Sequence, residues 1–94
     1  MIAVRPNFDD TVRLSGDSMT VTGTTDDVPH PFQLLVFIEQ DGHVEGTTVH
    51  RFTSRWETSL PAADFKPGPA LAYGVEVRTG PLQTATWSQG VTIA

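Results

Sequence analysis

The sequence predicts an all-β protein, an antiparallel β-sandwich of about seven short strands. Apolar residues alternate with a period of two along most of the chain, which is the spacing of half-buried strands and not of helices. Threonine, valine and aromatic residues fill the alternating runs, and seven prolines and eight glycines divide them at intervals typical of hairpin-connected strands. Only Ala62–Phe65 is compatible with a turn of helix.

Three strands are predicted in the first half of the chain, at residues 11–14, 18–24 and 32–40. The alternation assigns the following side chains to the core: Val12, Leu14, Met19, Val21, Phe32, Leu34, Val36 and Ile38. Pro29 and Pro31 exclude a central strand between the second and third runs, because proline donates no hydrogen bond to a ladder. The Asp41-Gly42 pair predicts a tight hairpin turn after the third run.

The second half of the chain is predicted to contain one or two strands within residues 43–57, one at 71–77 and one at 84–93. The alternation assigns these side chains to the core: Val44, Phe52, Trp56, Leu71, Tyr73, Val75, Val77, Ala85, Trp87, Val91 and Ile93. Gly90 lies inside the last run and predicts a β-bulge there.

Length, charge and apolar content limit the class of protein. We expect one domain, residues 1–94, in which residues 1–9 lead into the first strand. The net charge of −5 leaves no concentrated basic surface, so no nucleic-acid partner is expected. The longest apolar run, Leu34–Ile38, is too short for membrane insertion. Because residues 1–6 do not form a secretory signal, we expect either the cytoplasm or an assembly, or the cell surface if the chain is a module of a larger protein.

Four segments carry a resemblance to known domains: VTGTT (21–25), FQLLVFIEQDG (32–42), LPAADFKPGPALAYGVEVRTG (60–80) and ATWSQGVTI (85–93). Their succession of turns and alternating strands resembles fibronectin type III and related bacterial immunoglobulin-like domains. The second strand lacks the tryptophan of the type III pattern, and Leu71 stands where that family places its corner tyrosine, two residues before Tyr73. The resemblance implies an immunoglobulin-like sandwich with a non-catalytic role as a spacer, adhesion, docking or decoration domain.

One short motif points instead to catalysis. The segment Gly16–Met19 resembles the nucleophile motif of serine–lysine peptidases such as signal peptidases, in which a desolvated lysine takes the serine proton. Lys66 is the one lysine of the chain, but it precedes Pro67-Gly68 in a predicted exposed turn, where water keeps its ammonium charged. A turn between two strands accounts for the same residues. We therefore predict no catalytic residue and keep a hydrolase acting through Ser18 as the less favoured alternative.

Metal ligands are present in the sequence but not in the spacing that a metal site requires. The three histidines, His30, His43 and His50, form no close pair of the kind that zinc sites use. The aspartate pairs 9–10 and 26–27 have the carboxylates that calcium prefers, although solvated acidic loops account for them as well. We predict neither a metal nor a cofactor.

The aromatic residues Trp56, Tyr73 and Trp87 raise the alternative of a carbohydrate-binding sandwich. Sugar stacking requires aromatic rings on an outer surface, whereas all three lie on the apolar side of their predicted strands, which favours the core. A glycosidase requires two carboxylates that flank a cleft. The glutamates on the predicted strands are expected to face solvent, and no two of them form such a pair: Glu39, Glu45, Glu57 and Glu76.

The third predicted strand has apolar residues on both sides, since Leu35 and Phe37 occupy positions expected to be polar. In an immunoglobulin-like sandwich its neighbour is the strand at 71–77, whose predicted outer residues include Ala72 and Gly74. Exposed apolar patches tend to mark interaction sites. The sequence therefore predicts an interaction face of Leu35, Phe37, Ala72 and Gly74, for a protein partner or for self-association. A loop covering this face, or a different strand register, remains an equal alternative.

Overall fold

The computed structural model describes residues 6–25, 32–51, 55–77 and 85–94. These residues form eight strands and no helix, so the prediction of an all-β protein is confirmed. None of them forms a helix long and apolar enough to cross a bilayer. The strands are β1 (Pro6–Phe8), β2 (Thr11–Ser15), β3 (Ser18–Thr25), β4 (Phe32–Gln40), β5 (His43–Arg51), β6 (Arg55–Pro61), β7 (Gly68–Val77) and β8 (Ala85–Ile93).

The strands pair in two sets. In the first set, β1, β2 and β6 all pair antiparallel with β3. In the second set, the antiparallel order is β5-β4-β7-β8. A short parallel contact between β2 and β8, in which Thr11 lies opposite Thr92 and Val12 opposite Ile93, joins the two sets. Because β2 belongs to both ladders, the chain crosses between the two sets near its N-terminal end.

One hydrophobic core unites the two sets. Trp56 and Met19 of the first set and Leu34, Val36 and Ile38 of the second are 1% exposed or less. The Phe8 and Trp56 rings meet edge to face, with centroids 5.4 Å apart, in the arrangement that aromatic pairs prefer. The other core residues are Val12, Val21, Val49, Leu60, Ala62, Phe65, Ala72, Val91 and Ile93. Most of the described side chains that the alternation assigns to the core do lie in it, whereas Phe52 and the side chains of Phe32, Val77 and Ala85 lie outside the described residues.

Two tight turns follow the sequence signals closely. Gln40 pairs with His43, and Asp41 and Gly42 between them have φ values of 51° and 84°. Positive φ at both positions defines the type I′ hairpin turn that Asp-Gly favours. At the other turn, Ser15 pairs with Ser18, whose hydroxyl donates a hydrogen bond to the Ser15 carbonyl at 3.2 Å. The prediction of a bulge at Gly90 is wrong, because residues 68–76 of β7 pair with residues 93–85 of β8 without interruption.

The predicted orientation of the strand at 71–77 is also wrong. Ala72 and Glu76 are 0% and 1% exposed and Gly74 is buried, so these three residues point to the core. Ala72 and Gly74 therefore do not share an outer face with Leu35 and Phe37, and Glu76 does not face solvent. The cause is the close approach of β1: a side chain built at Gly74 would overlap with the Pro6 ring and lie 3.5 Å from Phe8 Cζ.

Val44 likewise does not lie in the predicted core, since its side chain is 55% exposed. The two-residue turn at 41–42 fixes the register of β5, in which Val44 lies opposite Glu39 and Val49 opposite Leu34. Residues directly opposite one another in an antiparallel pair share a face. Val49, and not Val44, is therefore the valine of β5 that reaches the core, with an exposure of 5%.

The side chain of Gln89 bridges the two sets where β1 and β8 pass each other. Its Nε2 donates to the Phe8 carbonyl at 2.8 Å, and its Oε1 accepts from the Phe8 N–H at 3.2 Å. A primary amide can replace a neighbouring strand in this way because it offers one donor and one acceptor side by side. The contact satisfies both backbone groups of Phe8, whose ring is part of the core.

We expect Gln89→Met to lower the free energy of unfolding by about 1–3 kcal/mol, because both backbone groups of Phe8 lose their partner. Chemical denaturation followed by tryptophan fluorescence measures the change. Gln33→Met is the matched control: it alters the same side chain on the other face of the second set and is expected to shift stability by less than about 0.5 kcal/mol. Equal effects of the two substitutions would show that the Phe8 contact is not stabilising.

We expect Gly74→Ala to destabilise the protein by about 1–3 kcal/mol, because the added methyl group would overlap with the Pro6 ring. The control is Gly90→Ala in the adjacent strand, where an added Cβ meets no atom within 4 Å. That substitution should change stability by less than about 1 kcal/mol, and in the stabilising direction, because alanine loses less backbone entropy on folding. Thermal unfolding of the two variants side by side tests the expectation, and it fails if Gly74→Ala is the milder change.

Candidate protein-interaction face

Six apolar or aromatic side chains share the side of β4, β5 and β7 that points away from the core, and we call this surface the outer face. The register brings them together, because Leu35 lies opposite Val75, Phe37 opposite Tyr73, and Glu39 between Val44 and Leu71. Directly opposed residues on antiparallel strands are side-chain neighbours. The outer face consists of Leu35, Phe37, Val44, Leu71, Tyr73 and Val75.

The outer face is partly open to solvent. Val44 and Leu71 are 55% and 43% exposed, and the remaining four members are half-buried. The Phe37 ring lies against Gly46 of β5, where any side chain would overlap with it. Because the ring rests on a strand backbone, the centre of the outer face is flat and held by the sheet.

Polar residues border the outer face. Thr86 and Ser88 of β8 lie opposite Val75 and Tyr73 and are exposed. On the other side, Thr48 of β5 lies opposite Leu35. An apolar centre with a polar margin is the usual composition of a protein-binding surface. The surface is more apolar than the predicted one, because bulky residues of β7 stand in place of Ala72 and Gly74.

Tyr73 is fixed within the outer face by a hydrogen bond. Its hydroxyl donates to Glu39 Oε2 at 3.0 Å. This bond, together with partial desolvation and the negative charge of Glu39, raises the pKa of Tyr73 above its usual value of 10.0. Ionisation would break the bond and set two negative charges side by side. The phenol is therefore a protonated donor at neutral pH, directed along the surface.

A shallow groove of about 710 Å³ runs along the Leu71 end of the outer face, and we call it the acidic groove. Its apolar part is formed by Pro69, Ala70, Leu71 and Val91, and its margin carries the carboxylates of three residues. The residues that line it are Asp10, Glu39, Asp41, Pro69, Ala70, Leu71, Gly90, Val91 and Thr92. The outer face therefore continues into a concave region of negative charge.

The residues of the hydrolase alternative are engaged in local structure. Ser18 begins β3, and its hydroxyl donates to the Ser15 carbonyl within the turn. Lys66 is exposed, and the Gln40 side chain binds its backbone: Nε2 donates to the Lys66 carbonyl and Oε1 accepts from its N–H, both at 2.9 Å. These contacts account for both residues as parts of turns.

In the part of the chain that the structure describes, no three carboxylate or histidine side chains are placed so that they could hold one metal ion. The Asp9 carboxylate accepts a hydrogen bond from Thr22 and forms an ion pair with Arg55 at 3.3 Å. His43 is exposed. The aspartates at 26–27, His30 and the side chain of His50 lie outside the described residues.

The three aromatic residues considered for sugar binding have three different environments. Trp56 is 1% exposed and lies in the core, as predicted. Trp87 is half-buried and lies opposite Gly74, on the core side of β8. Tyr73, predicted to be in the core, lies on the outer face instead. No two of these rings therefore form a shared exposed platform.

Of the predicted interaction residues, the structure places Leu35 and Phe37 on the outer face and buries Ala72 and Gly74. The sequence does not identify the other members of the outer face, because large apolar residues are expected in the core. These members are Leu71, Tyr73, Val75 and Val44. Gly74 was the available signal. A glycine inside a strand often marks the close approach of another backbone, which identifies its side of β7 as the packed one.

The chain matches no family model, no curated protein and no solved structure. Its function is therefore inferred from the geometry of its own residues.

We expect Glu39→Gln to lower the pKa of Tyr73 toward 10.0, since the substitution removes the neighbouring charge while an amide oxygen still accepts the hydrogen bond. Tyr73 is the only tyrosine, so absorbance of the tyrosinate during a pH titration reports on it alone. Glu45→Gln, on the core-facing side of β5 opposite Ile38, is the control and should leave the titration unchanged.

The same shift determines a pH dependence of stability. The pKa of Tyr73 is higher in the folded than in the unfolded protein. Its contribution to stability is therefore fully present below pH 10.0 and is lost as the pH rises through the folded pKa. The wild type should therefore lose more stability than Glu39→Gln across that alkaline range. Identical slopes would contradict this assignment.

Proposed function

We propose that this protein is a non-catalytic, immunoglobulin-like β-sandwich module that binds protein through its outer face. The observation that carries the proposal is the row of apolar side chains, Leu35, Phe37, Tyr73 and Val75, on the side of β4 and β7 opposite the core. Apolar side chains that the core does not use are costly to leave in water and characteristic of interaction surfaces.

The order of strand pairing supports the immunoglobulin-like assignment. In that architecture the strands named C, F and G form one sheet, and A, B and E belong to the other. Here β4, β7 and β8 pair in succession as C, F and G do, and β3 pairs with β1, β2 and β6 as B pairs with A and E. The additional strand β5 extends the second set at its edge.

The state of the outer face supports a binding role over a purely structural one. Its central side chains are half-buried on paired strands, the Phe37 ring lies against Gly46 and Tyr73 is hydrogen-bonded to Glu39, so part of their side-chain entropy is already lost before a partner covers them. Each apolar Å² that the partner removes from water contributes about 25 cal/mol. The Tyr73 hydroxyl and the threonines at the margin supply the directional bonds that such surfaces use for specificity.

We expect Phe37→Lys and Leu35→Lys to abolish association, because a charge at the centre of the outer face must be desolvated when a partner binds. Light scattering across a range of concentrations measures self-association, and selection of a displayed random peptide library measures binding to other segments. Thr20→Lys, on the other set of strands, is the control for an added surface charge. The proposal is overturned if the wild type neither self-associates nor enriches peptides, or if both activities survive in Phe37→Lys.

A further inference from the structure

We propose that the acidic groove receives a lysine or arginine side chain from a partner protein segment that also carries an apolar residue for Leu71. This inference rests on the proposed function of the outer face and specifies the chemistry of the partner. The groove is continuous with the outer face, since Leu71 belongs to both surfaces and Glu39, which lines the groove, lies opposite Leu71 in the β4–β7 ladder.

Gly90 leaves room for such a segment beside Leu71. It lies directly opposite Leu71 in the β7–β8 ladder, in the same groove. Its backbone does not adopt a positive φ, and a Cβ built on it meets no atom within 4 Å. Neither backbone conformation nor packing within the chain therefore requires glycine at this position. The missing side chain keeps the surface beside Leu71 open, as a bound apolar residue needs.

The charges of the groove determine which segment fits. Its described lining contains the carboxylates of Asp10, Glu39 and Asp41 and no lysine, arginine or histidine. Bonds from the described residues use only part of their capacity: Glu39 accepts one bond from Tyr73, and Asp10 accepts one from Gln89 at 3.5 Å. An ionised carboxylate has about four acceptor positions. A cationic side chain is thus attracted by three groups that each retain free lone pairs.

The same charges disfavour a second copy of this chain as the occupant. Pairing two acidic grooves would bring three carboxylates from each copy into one interface, in a protein whose net charge is already −5. Like charges brought together in this way oppose association. A segment with an aliphatic or aromatic residue next to lysine or arginine satisfies both the apolar part and the acidic margin.

To test this inference, peptides are selected from a displayed random library for binding to the wild-type protein. Fluorescence polarisation then measures the affinity of the protein for a synthetic copy of an enriched peptide. We expect enriched peptides to carry lysine or arginine beside an apolar residue and to bind more weakly as salt is added. The triple variant Asp10→Asn, Glu39→Gln, Asp41→Asn should weaken binding about tenfold or more and remove most of the salt dependence. Asparagine tolerates the positive φ at position 41, and glutamine retains the acceptor for Tyr73.

Gly90→Val provides an independent arm, because it fills the groove without changing any charge. It should block the peptide while the unfolding temperature stays close to that of the wild type. Enriched peptides that lack cationic residues, or that bind the triple variant and Gly90→Val normally but not Phe37→Lys, would overturn this inference and leave the proposed function in place. Self-association of the wild type without peptide enrichment would also overturn this inference and leave the proposed function in place. The absence of self-association and of peptide enrichment would overturn the inference and the proposed function together.

Discussion

The close packing of Pro6 and Phe8 against Gly74 is the contact on which the arrangement of the rest of the molecule depends. It brings β1 so near to β7 that a side chain at position 74 would overlap with the Pro6 ring. Glycine meets this demand at position 74, and alternation then directs Leu71, Tyr73 and Val75 to the opposite side. One steric constraint in the core thus creates the apolar outer face.

Two glutamine side chains bind backbone groups of neighbouring segments. Gln89 replaces a strand for Phe8, and Gln40 holds the backbone of Lys66 and Pro69 at the far end of β4. Both amides satisfy backbone groups that no ladder reaches, which avoids the cost of leaving those groups unpaired. On the outer face, the hydrogen bond from Tyr73 to Glu39 fixes the phenol at the surface.

The candidate site was half predictable from the sequence. Leu35 and Phe37 were identified because β4 is apolar on both sides, which is unusual for a strand with one solvated face. The prediction for their partners on β7 is wrong because that strand also has apolar residues on both faces. The larger residues, Leu71, Tyr73 and Val75, favour the core by size, but they lie on the outer face. Alternation shows that the two faces of a strand differ. It does not show which face is buried, because a shift of one residue in the assignment exchanges the two faces. Gly74 held the missing information in its lack of a side chain.

The sequence by itself determined the all-β class, the position of the two tight turns and the core side of β2, β3 and β4, because these depend on local alternation and on the backbone preferences of Asp-Gly and similar pairs. Only the tertiary structure decided which strand lies against Gly74, the exposure of Val44 and the union of Leu71, Glu39 and Asp10 in one groove. Those features follow from which strands become neighbours and how closely they approach. Contacts between residues as distant in the chain as Pro6 and Gly74 are not encoded in any local pattern.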